Sequence, residues 1–168
     1  MSAEGTIMSL LLSTVLLGAL TIGQTPAVAE LDLLDQNGVA DRLANHSDRV
    51  VVVMVVTARR LRNLKGLERD LHERYDDVYF LRIADIPEDP PVTREQVAHK
   101  LNKRVPEEVS ILIDIERHWA GELELDTGRP NVLLFDREGR FVAAFRGRAE
   151  PELLDEIHAV LDELTGTP

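Results

Sequence analysis

The densest group of side chains able to bind a ligand is a short arginine run that follows an apolar stretch. It comprises Arg59, Arg60 and Arg62, with Asn63 beside them. Guanidinium groups hold carboxylates and phosphates through paired hydrogen bonds. A helix that begins after Thr57 would add free backbone N–H groups and a favourable dipole for the same anion. We therefore predict an anion-binding or acidic-peptide docking site in this run.

The alternative interpretation of the run is an ordinary solvated helix face. Surface ion pairs are common and contribute little to stability, and three acidic residues follow further along the same predicted helix, namely Glu68, Asp70 and Glu73. Basic residues in a first helical turn interact unfavourably with the helix dipole. That penalty favours a role for the arginines other than helix stability.

Cysteine is absent, and its absence excludes several kinds of chemistry. The chain has 168 residues and no cysteine, so it has no structural disulfide, no thiol nucleophile, no dithiol exchange and no thiolate metal site. Its carboxylates are too scattered to indicate a general acid–base pair. Asp114, Glu116 and His118 alternate and could share one face of a strand as metal ligands. A polar strand end is the simpler interpretation, so we predict no metal and no cofactor.

The overall charge is strongly acidic. The sequence has 30 Asp and Glu against 19 Lys and Arg, for a net charge of −11. This balance disfavours binding to nucleic acid phosphates and to anionic membranes. We predict a protein or peptide partner and no nucleic acid partner. Membrane association is expected only if the N-terminal segment stays attached. The sequence does not indicate an oligomeric state.

Residues 1–29 have the layout of a secretory signal peptide. The apolar run Ile7–Ile22 is followed by a looser stretch that ends in the small residues of an AVA tripeptide before Glu30, as signal peptidase requires. We predict cleavage between Ala29 and Glu30, a single mature domain over 30–168, and a periplasmic or secreted location. The alternatives are an uncleaved membrane anchor and a buried core helix. The run is short for a bilayer span of about 20 residues.

The rest of the chain alternates strand and helix patterns, which predict a mixed sheet with helices on both faces. Val50–Val56 is an uncharged, largely β-branched run typical of a central strand. Leucines at spacings of three and four then predict a helix directly after Thr57. The further predicted elements are strands at 31–34, 78–84 and 110–115, a helix after the capping box at 93–96, a hairpin over 131–145 and a helix from Pro151.

Three segments together resemble the thioredoxin-like superfamily, in particular its exported peroxiredoxin and cytochrome-maturation thioredoxin types. LLDQNGVADRL is similar to the family's opening hairpin, VVVMVVT to the strand that leads into its active site, and RPNVLLFDREGRFVAAFRG to its proline, hairpin and closing glycine. The likeness covers residues 31–164 and implies an α/β fold with a mixed β-sheet flanked by helices. It also implies that Pro130 is cis and lies beside the active-site position, next to Arg129.

The chain departs from this family where the reactive CxxC pair would stand. Here the predicted helix start reads TARRLRN over 57–63, so the resemblance implies the fold without the thiol chemistry. We expect a non-catalytic binding or scaffolding module of the cell envelope that uses this degenerate active-site face. Its expected contact residues are Arg59, Arg60, Arg62, Asn63, Arg129 and Pro130.

Peptide contact in such a module would follow the family by strand pairing near Pro130. Two other functions stay open. One is a thiol-independent enzyme, acid–base or metal-assisted, in the same cleft. The other is a purely structural envelope protein.

Overall fold

A computed structural model of the chain describes residues 21–167. Its strands are β1 (Leu33–Asp35), β2 (Ala40–Asp41), β3 (Val51–Thr57), β4 (Tyr79–Asp85), β5 (Leu112–Asp114), β6 (Asn131–Phe135) and β7 (Phe141–Arg146). Its α-helices are α1 (Lys65–Arg74), α2 (Arg94–Asn102), α3 (His118–Glu122) and α4 (Pro151–Thr165). Three 3₁₀ helices cover Ala27–Glu30, Leu43–His46 and Ala58–Leu64. Most of the predicted signal peptide, residues 1–20, lies outside the described residues. Within 21–167, no helix is both long and apolar enough to cross a membrane.

The strands form one mixed sheet in the order β2-β1-β5-β4-β3-β6-β7. β3, β4 and β5 are parallel neighbours, whereas β6 pairs antiparallel with β3 and β7 antiparallel with β6. β3 lies near the middle, and every one of its residues is buried, as expected of a strand covered on both faces. The predicted α/β fold with a mixed sheet flanked by helices is confirmed.

Alternate residues of β3 build the two sides of the core. Val52 and Met54 pack in a cluster with apolar residues of α1 and α4. Val53 and Val55 face the opposite side, in a cluster that includes Trp119 of α3. Trp119 is 1% exposed and meets the ring of Phe135 edge-on at 6.5 Å between ring centroids. Its predicted role as a core residue is confirmed.

The chain leaves β3 in a different way from the prediction. A 3₁₀ helix covers Ala58–Leu64, and α1 begins only at Lys65. The side chain of Thr57 caps neither helix, and its Oγ1 is buried with no hydrogen-bond partner in the described part of the chain. The reason lies in the apolar stripe, which becomes fully buried at Leu64 and the leucines that follow it. Packing therefore fixes the chain from Leu64, the last residue of the 3₁₀ helix, into α1, and the preceding basic turn takes the tighter 3₁₀ form.

The prediction that Pro130 follows a cis peptide bond is wrong. The cis bond in the described residues is Asp89–Pro90, in the loop that precedes α2. Pro130 follows a trans bond, and its carbonyl oxygen accepts a hydrogen bond from the Gly147 N–H at 3.0 Å. That hydrogen bond joins the residue before β6 to the residue after β7.

The local capping and turn signals are confirmed. Thr93 and Gln96 form the predicted capping box at the start of α2, with both reciprocal hydrogen bonds present. Gly38 has a φ of 82° in the turn between β1 and β2, which a residue without Cβ adopts readily. α4 begins at Pro151 and ends before Gly166, as its stripe predicts.

Residues 23–29 are packed against the domain. The Gly23 N–H donates to the Phe141 carbonyl oxygen at 2.8 Å, and the Phe141 N–H donates to the Gln24 carbonyl oxygen at 2.8 Å. Val28 and Ala29 are each 1% exposed and belong to the core cluster on the α3 side of the sheet. Cleavage after Ala29 stays a prediction, and it would remove these contacts from the mature domain.

α1 and α4 are joined on the other face of the sheet. The Tyr75 hydroxyl donates to Asp162 Oδ1 at 2.7 Å and lies 3.0 Å from His158 Nδ1. Burial and, to a lesser extent, the neighbouring Asp162 carboxylate raise the pKa of Tyr75 well above its usual value.

Near the start of α1, Gly66 lies against Ala149, and a Cβ on Gly66 would be 2.8 Å from the Ala149 Cβ. The close approach therefore requires glycine at this position.

Candidate functional site

Strands β3, β4 and β5 end together at one edge of the sheet, which we call the carboxyl edge. Their last residues, Thr57, Asp85 and Asp114, are neighbours in the strand register, so their side chains point to the same face. They are 8%, 0% and 0% exposed. Ligands of open α/β sheets bind beyond the carboxyl ends of the strands. The candidate site is therefore this edge, where the arginine run also begins.

Asp85 is the centre of a buried polar group at the carboxyl edge. Its Oδ1 accepts a hydrogen bond from Arg117 Nε at 3.1 Å, and its Oδ2 accepts one from the Thr127 hydroxyl at 2.5 Å. The Thr127 carbonyl oxygen accepts a further bond from the Thr57 N–H at 2.9 Å. A carboxylate removed from water needs such partners. These bonds tie the end of β3 and the loop before β6 to the end of β4.

Asp114 has a structural duty at the same edge. Its two carboxylate oxygens accept hydrogen bonds from the backbone N–H groups of His118 and Trp119, at 2.9 Å and 2.8 Å, which caps the start of α3. Burial raises the pKa of Asp114 above its usual value, although both backbone bonds act in the opposite direction. Both carboxylate oxygens of Asp114 are therefore occupied by the backbone N–H groups at the start of α3.

The alternating residues 114, 116 and 118 do not converge. His118 Nε2 lies 2.8 Å from Glu116 Oε2 at the surface, while the Asp114 side chain is occupied by the α3 backbone. In the described stretch of the chain, no three His, Cys, Asp or Glu side chains are grouped to hold a metal ion.

The arginine run lies on the 3₁₀ helix Ala58–Leu64, which we call the arginine segment. All three of its arginines are exposed. The three arginines lie within a 3₁₀ helix that starts at Ala58, directly after Thr57, whereas the α-helix α1 begins beyond them at Lys65. The charged residues around them in the sequence are nevertheless all basic, since no Asp or Glu occurs between Asp48 and Glu68.

The expected pairing of these arginines with acids of the following helix is not observed. Glu68 contacts Nε of Arg82 instead, and Asp70 Oδ1 lies 2.6 Å from Nε2 of His158. Within residues 21–167, no carboxylate oxygen lies within 4.0 Å of a guanidinium nitrogen of the arginine segment. The described residues thus leave three guanidinium groups without an acidic partner.

The other predicted site residues divide between surface and interior. Asn63 is half-buried at the end of the arginine segment, Arg129 is exposed, and Pro130 is buried. The hydrogen bond from the Thr57 N–H to the Thr127 carbonyl oxygen joins the start of the arginine segment to the loop that carries Arg129. Both segments therefore lie at the carboxyl edge, while Pro130 presents no side-chain surface for contact.

The backbone next to Pro130 is already satisfied. The Asn131 side-chain amide donates to the carbonyl oxygens of Asp126 and Arg129, at 2.9 Å and 3.0 Å. The Pro130 carbonyl oxygen is bonded to Gly147, and proline has no N–H to offer. Strand pairing with a peptide needs open backbone N–H and C=O groups. The carbonyl oxygens beside Pro130 are already hydrogen-bonded, so they do not support the expected strand pairing at this position.

The sequence patterns did not identify Asp85, Arg117 and Thr127 as part of the site. Asp85 and Asp114 each end an apolar strand pattern, FLRIAD and SILID, and a charge in that position is a signal for a strand end at an edge. Arg117 and Thr127 lie in the stretch 116–130, where no pattern indicated an element.

Comparisons with known proteins bear on the fold. No family model matches the chain, and no curated protein matches it. Three solved structures illustrate the similarity. The exposed lipoprotein thioredoxin of Streptococcus pneumoniae matches with a TM-score of 0.64 and 18% identity, over 80% of this chain and 98% of that one. A thiol:disulfide interchange protein DsbE of Chlorobium tepidum gives 0.56 and 16%, over 87% and 97%. Peroxiredoxin Q of Xanthomonas campestris gives 0.58 and 14%, over 83% and 96%. The chain has a thioredoxin-like fold.

Proposed function

We propose that this cysteine-free chain is a binding module of the cell envelope whose arginine segment binds an acidic stretch of a protein partner. One observation carries the proposal. Arg59, Arg60 and Arg62 are exposed and have no carboxylate within 4.0 Å among the described residues, although the chain has a net charge of −11. Guanidinium groups form strong, paired hydrogen bonds with anionic oxygens, including those of carboxylates.

The dimensions of the arginine segment favour a short acidic stretch of protein, rather than a nucleic acid, as its ligand. A 3₁₀ helix rises roughly 2 Å per residue, so the three arginines cover only about 6 Å along their axis. A phosphate backbone would extend beyond this patch and meet the acidic remainder of the surface. A local cluster of carboxylates on a partner fits the patch and avoids that repulsion.

Side chains rather than strand pairing carry the contact in this proposal. The carbonyl oxygens beside Pro130 already accept hydrogen bonds, so recognition depends on the exposed guanidinium groups, with Arg129 at the same edge. Such contacts depend strongly on salt, because exposed charges are screened over a Debye length of roughly 8 Å at physiological ionic strength.

The envelope location rests on two observations. The apolar run Ile7–Ile22 has the layout of an export signal. Two of the solved structures with a similar fold are described as an exposed lipoprotein thioredoxin and a thiol:disulfide interchange protein.

Binding of a short Asp- and Glu-rich peptide tests the proposal directly. We expect wild type to bind the labelled peptide, and the charge-reversed variant Arg59→Glu/Arg60→Glu/Arg62→Glu to bind it at least about tenfold more weakly. Lys100→Glu/Lys103→Glu/Arg104→Glu is the matched control, since it changes the net charge equally through three exposed residues at the end of α2. Equal losses in both variants would show that only net charge matters and would overturn the proposal.

A further inference from the structure

Arg117 adopts a strained backbone conformation at the carboxyl edge. Its φ is 59° and its ψ is 34°, in the left-handed region that residues with a Cβ rarely occupy. Within the described residues, Glu124 is the other non-glycine residue with positive φ. Strain of this kind concentrates where a side chain must be held in one place.

The Arg117 side chain is anchored by one end only. Its Nε donates to Asp85, which is fully buried, while the arginine side chain itself remains 36% exposed. In the described part of the chain, its two terminal Nη groups have no hydrogen-bond partner. The guanidinium is thus fixed at its base and presents its outer edge.

The simpler role for Arg117 is to neutralise Asp85. That role does not explain why only Nε of the guanidinium contacts the carboxylate. An arginine that serves a carboxylate alone commonly places two nitrogens on its two oxygens. Here the second oxygen of Asp85 is occupied by the Thr127 hydroxyl. That arrangement spares the Nη groups for another acceptor.

A buried hydroxyl next to this group supports a polar ligand. Thr57 is opposite Asp85 in the strand register. It is 8% exposed, and its Oγ1 has no partner among the described residues. Buried polar atoms without a partner are uncommon in folded proteins. The polar group at the carboxyl edge is therefore incomplete in hydrogen-bonding terms.

From these observations we infer that the Nη groups of Arg117 bind a carboxylate of the acidic partner, with Asp85 as the positioning residue that aims them. The inference rests on the proposed function and names a second contact for it. The outer edge of a guanidinium can pair with two oxygens of a carboxylate or of a phosphate, so the choice of a carboxylate depends on the other donors at this edge. The backbone N–H groups of His118 and Trp119, which could have supplemented a phosphate site, are taken by Asp114.

Peptide binding and acetate competition, measured on the full chain, test this inference. Trp119 is the single tryptophan of the sequence and follows Arg117 by two residues, so its fluorescence reports on the site. We expect acetate to change Trp119 fluorescence and to compete with the acidic peptide in wild type. Both effects should be lost in Arg117→Gln/Asp85→Asn, which removes the buried charge together with its partner and so protects folding.

Further variants separate positioning from structure. Asp85→Asn should weaken acetate binding several-fold while the arginine segment still contributes to peptide binding. Arg137→Gln is the control, because this exposed arginine lies in the turn between β6 and β7 at the opposite edge of the sheet. Its affinities should equal those of wild type.

The outcomes distinguish the two proposals. If the peptide still binds Arg117→Gln/Asp85→Asn as tightly as wild type, but binds the arginine-segment variant weakly, the inference fails and the proposed function stands. If wild type binds no acidic peptide while acetate still acts through Arg117, the proposed function fails and the carboxylate site stands. Stronger competition by inorganic phosphate than by acetate would overturn the assignment to a carboxylate.

Discussion

Replacing Val28 with Ala tests whether residues 23–29 belong to the folded domain. Val28 is 1% exposed in the same core cluster as Trp119, and the substitution removes two methyl groups. At about 0.8 kcal/mol per buried carbon, the free energy of unfolding should fall by about 1.6 kcal/mol. The cavity left behind adds to that loss.

Urea unfolding followed by Trp119 fluorescence measures this change. Val39→Ala is the matched control, because Val39 is 61% exposed in the turn between β1 and β2; there the same chemical change should stay within about 0.5 kcal/mol. Equal stability losses in the two variants would refute the placement of Val28 in the core.

The same comparison bears on the predicted signal peptide. N-terminal sequencing of the exported protein should find Glu30 first if cleavage follows Ala29. A mature chain that begins at Glu30 and is as stable as one that begins at Gly23 would show that the contacts of Val28 and Ala29 are dispensable.

Two further predictions concern α1 and the tyrosines. Burial and, to a lesser extent, the neighbouring Asp41 carboxylate raise the pKa of Tyr79 to about 12. The pKa of Tyr75 is higher still. Because both folded-state values exceed the ordinary 10.0, the stabilisation is complete below pH 10; the contribution of Tyr79 is lost as the pH rises through about 12, and that of Tyr75 at still higher pH. Ultraviolet absorbance of the folded protein should therefore show little tyrosinate at pH 10, and half-ionisation there would contradict the packing. Gly66→Val should lower the free energy of unfolding by about 1–3 kcal/mol through its clash with Ala149, whereas Gly121→Ala, with open space around it, should not; thermal melts compare them.

The parts of the fold that sequence patterns predicted are those decided by local periodicity. The β-branched run of β3 and the leucine stripe of α4 each determine one element from consecutive residues. The 3₁₀ form of the arginine segment was missed because it depends on where α1 begins to pack against the sheet, at Leu64. That is a tertiary effect, which no propensity of the arginines reveals.

The candidate site divides in the same way. The arginine run is visible as a cluster of like residues, so its exposure could be anticipated. The bond between Arg117 and Asp85 joins residues separated by 32 positions, and it exists only because β4 and β5 end side by side. The trans bond before Pro130 is likewise not specified by the motif around β6 and β7.

The contact between Gly66 and Ala149 has a consequence for the rate of binding. It holds the start of α1 tightly against the chain that leads into α4, and the arginine segment runs directly into α1. The segment is therefore presented in a fixed arrangement before any partner arrives, so little conformational entropy is lost on association. Among related acidic partners, affinity should then vary through residence time, while association rates stay similar.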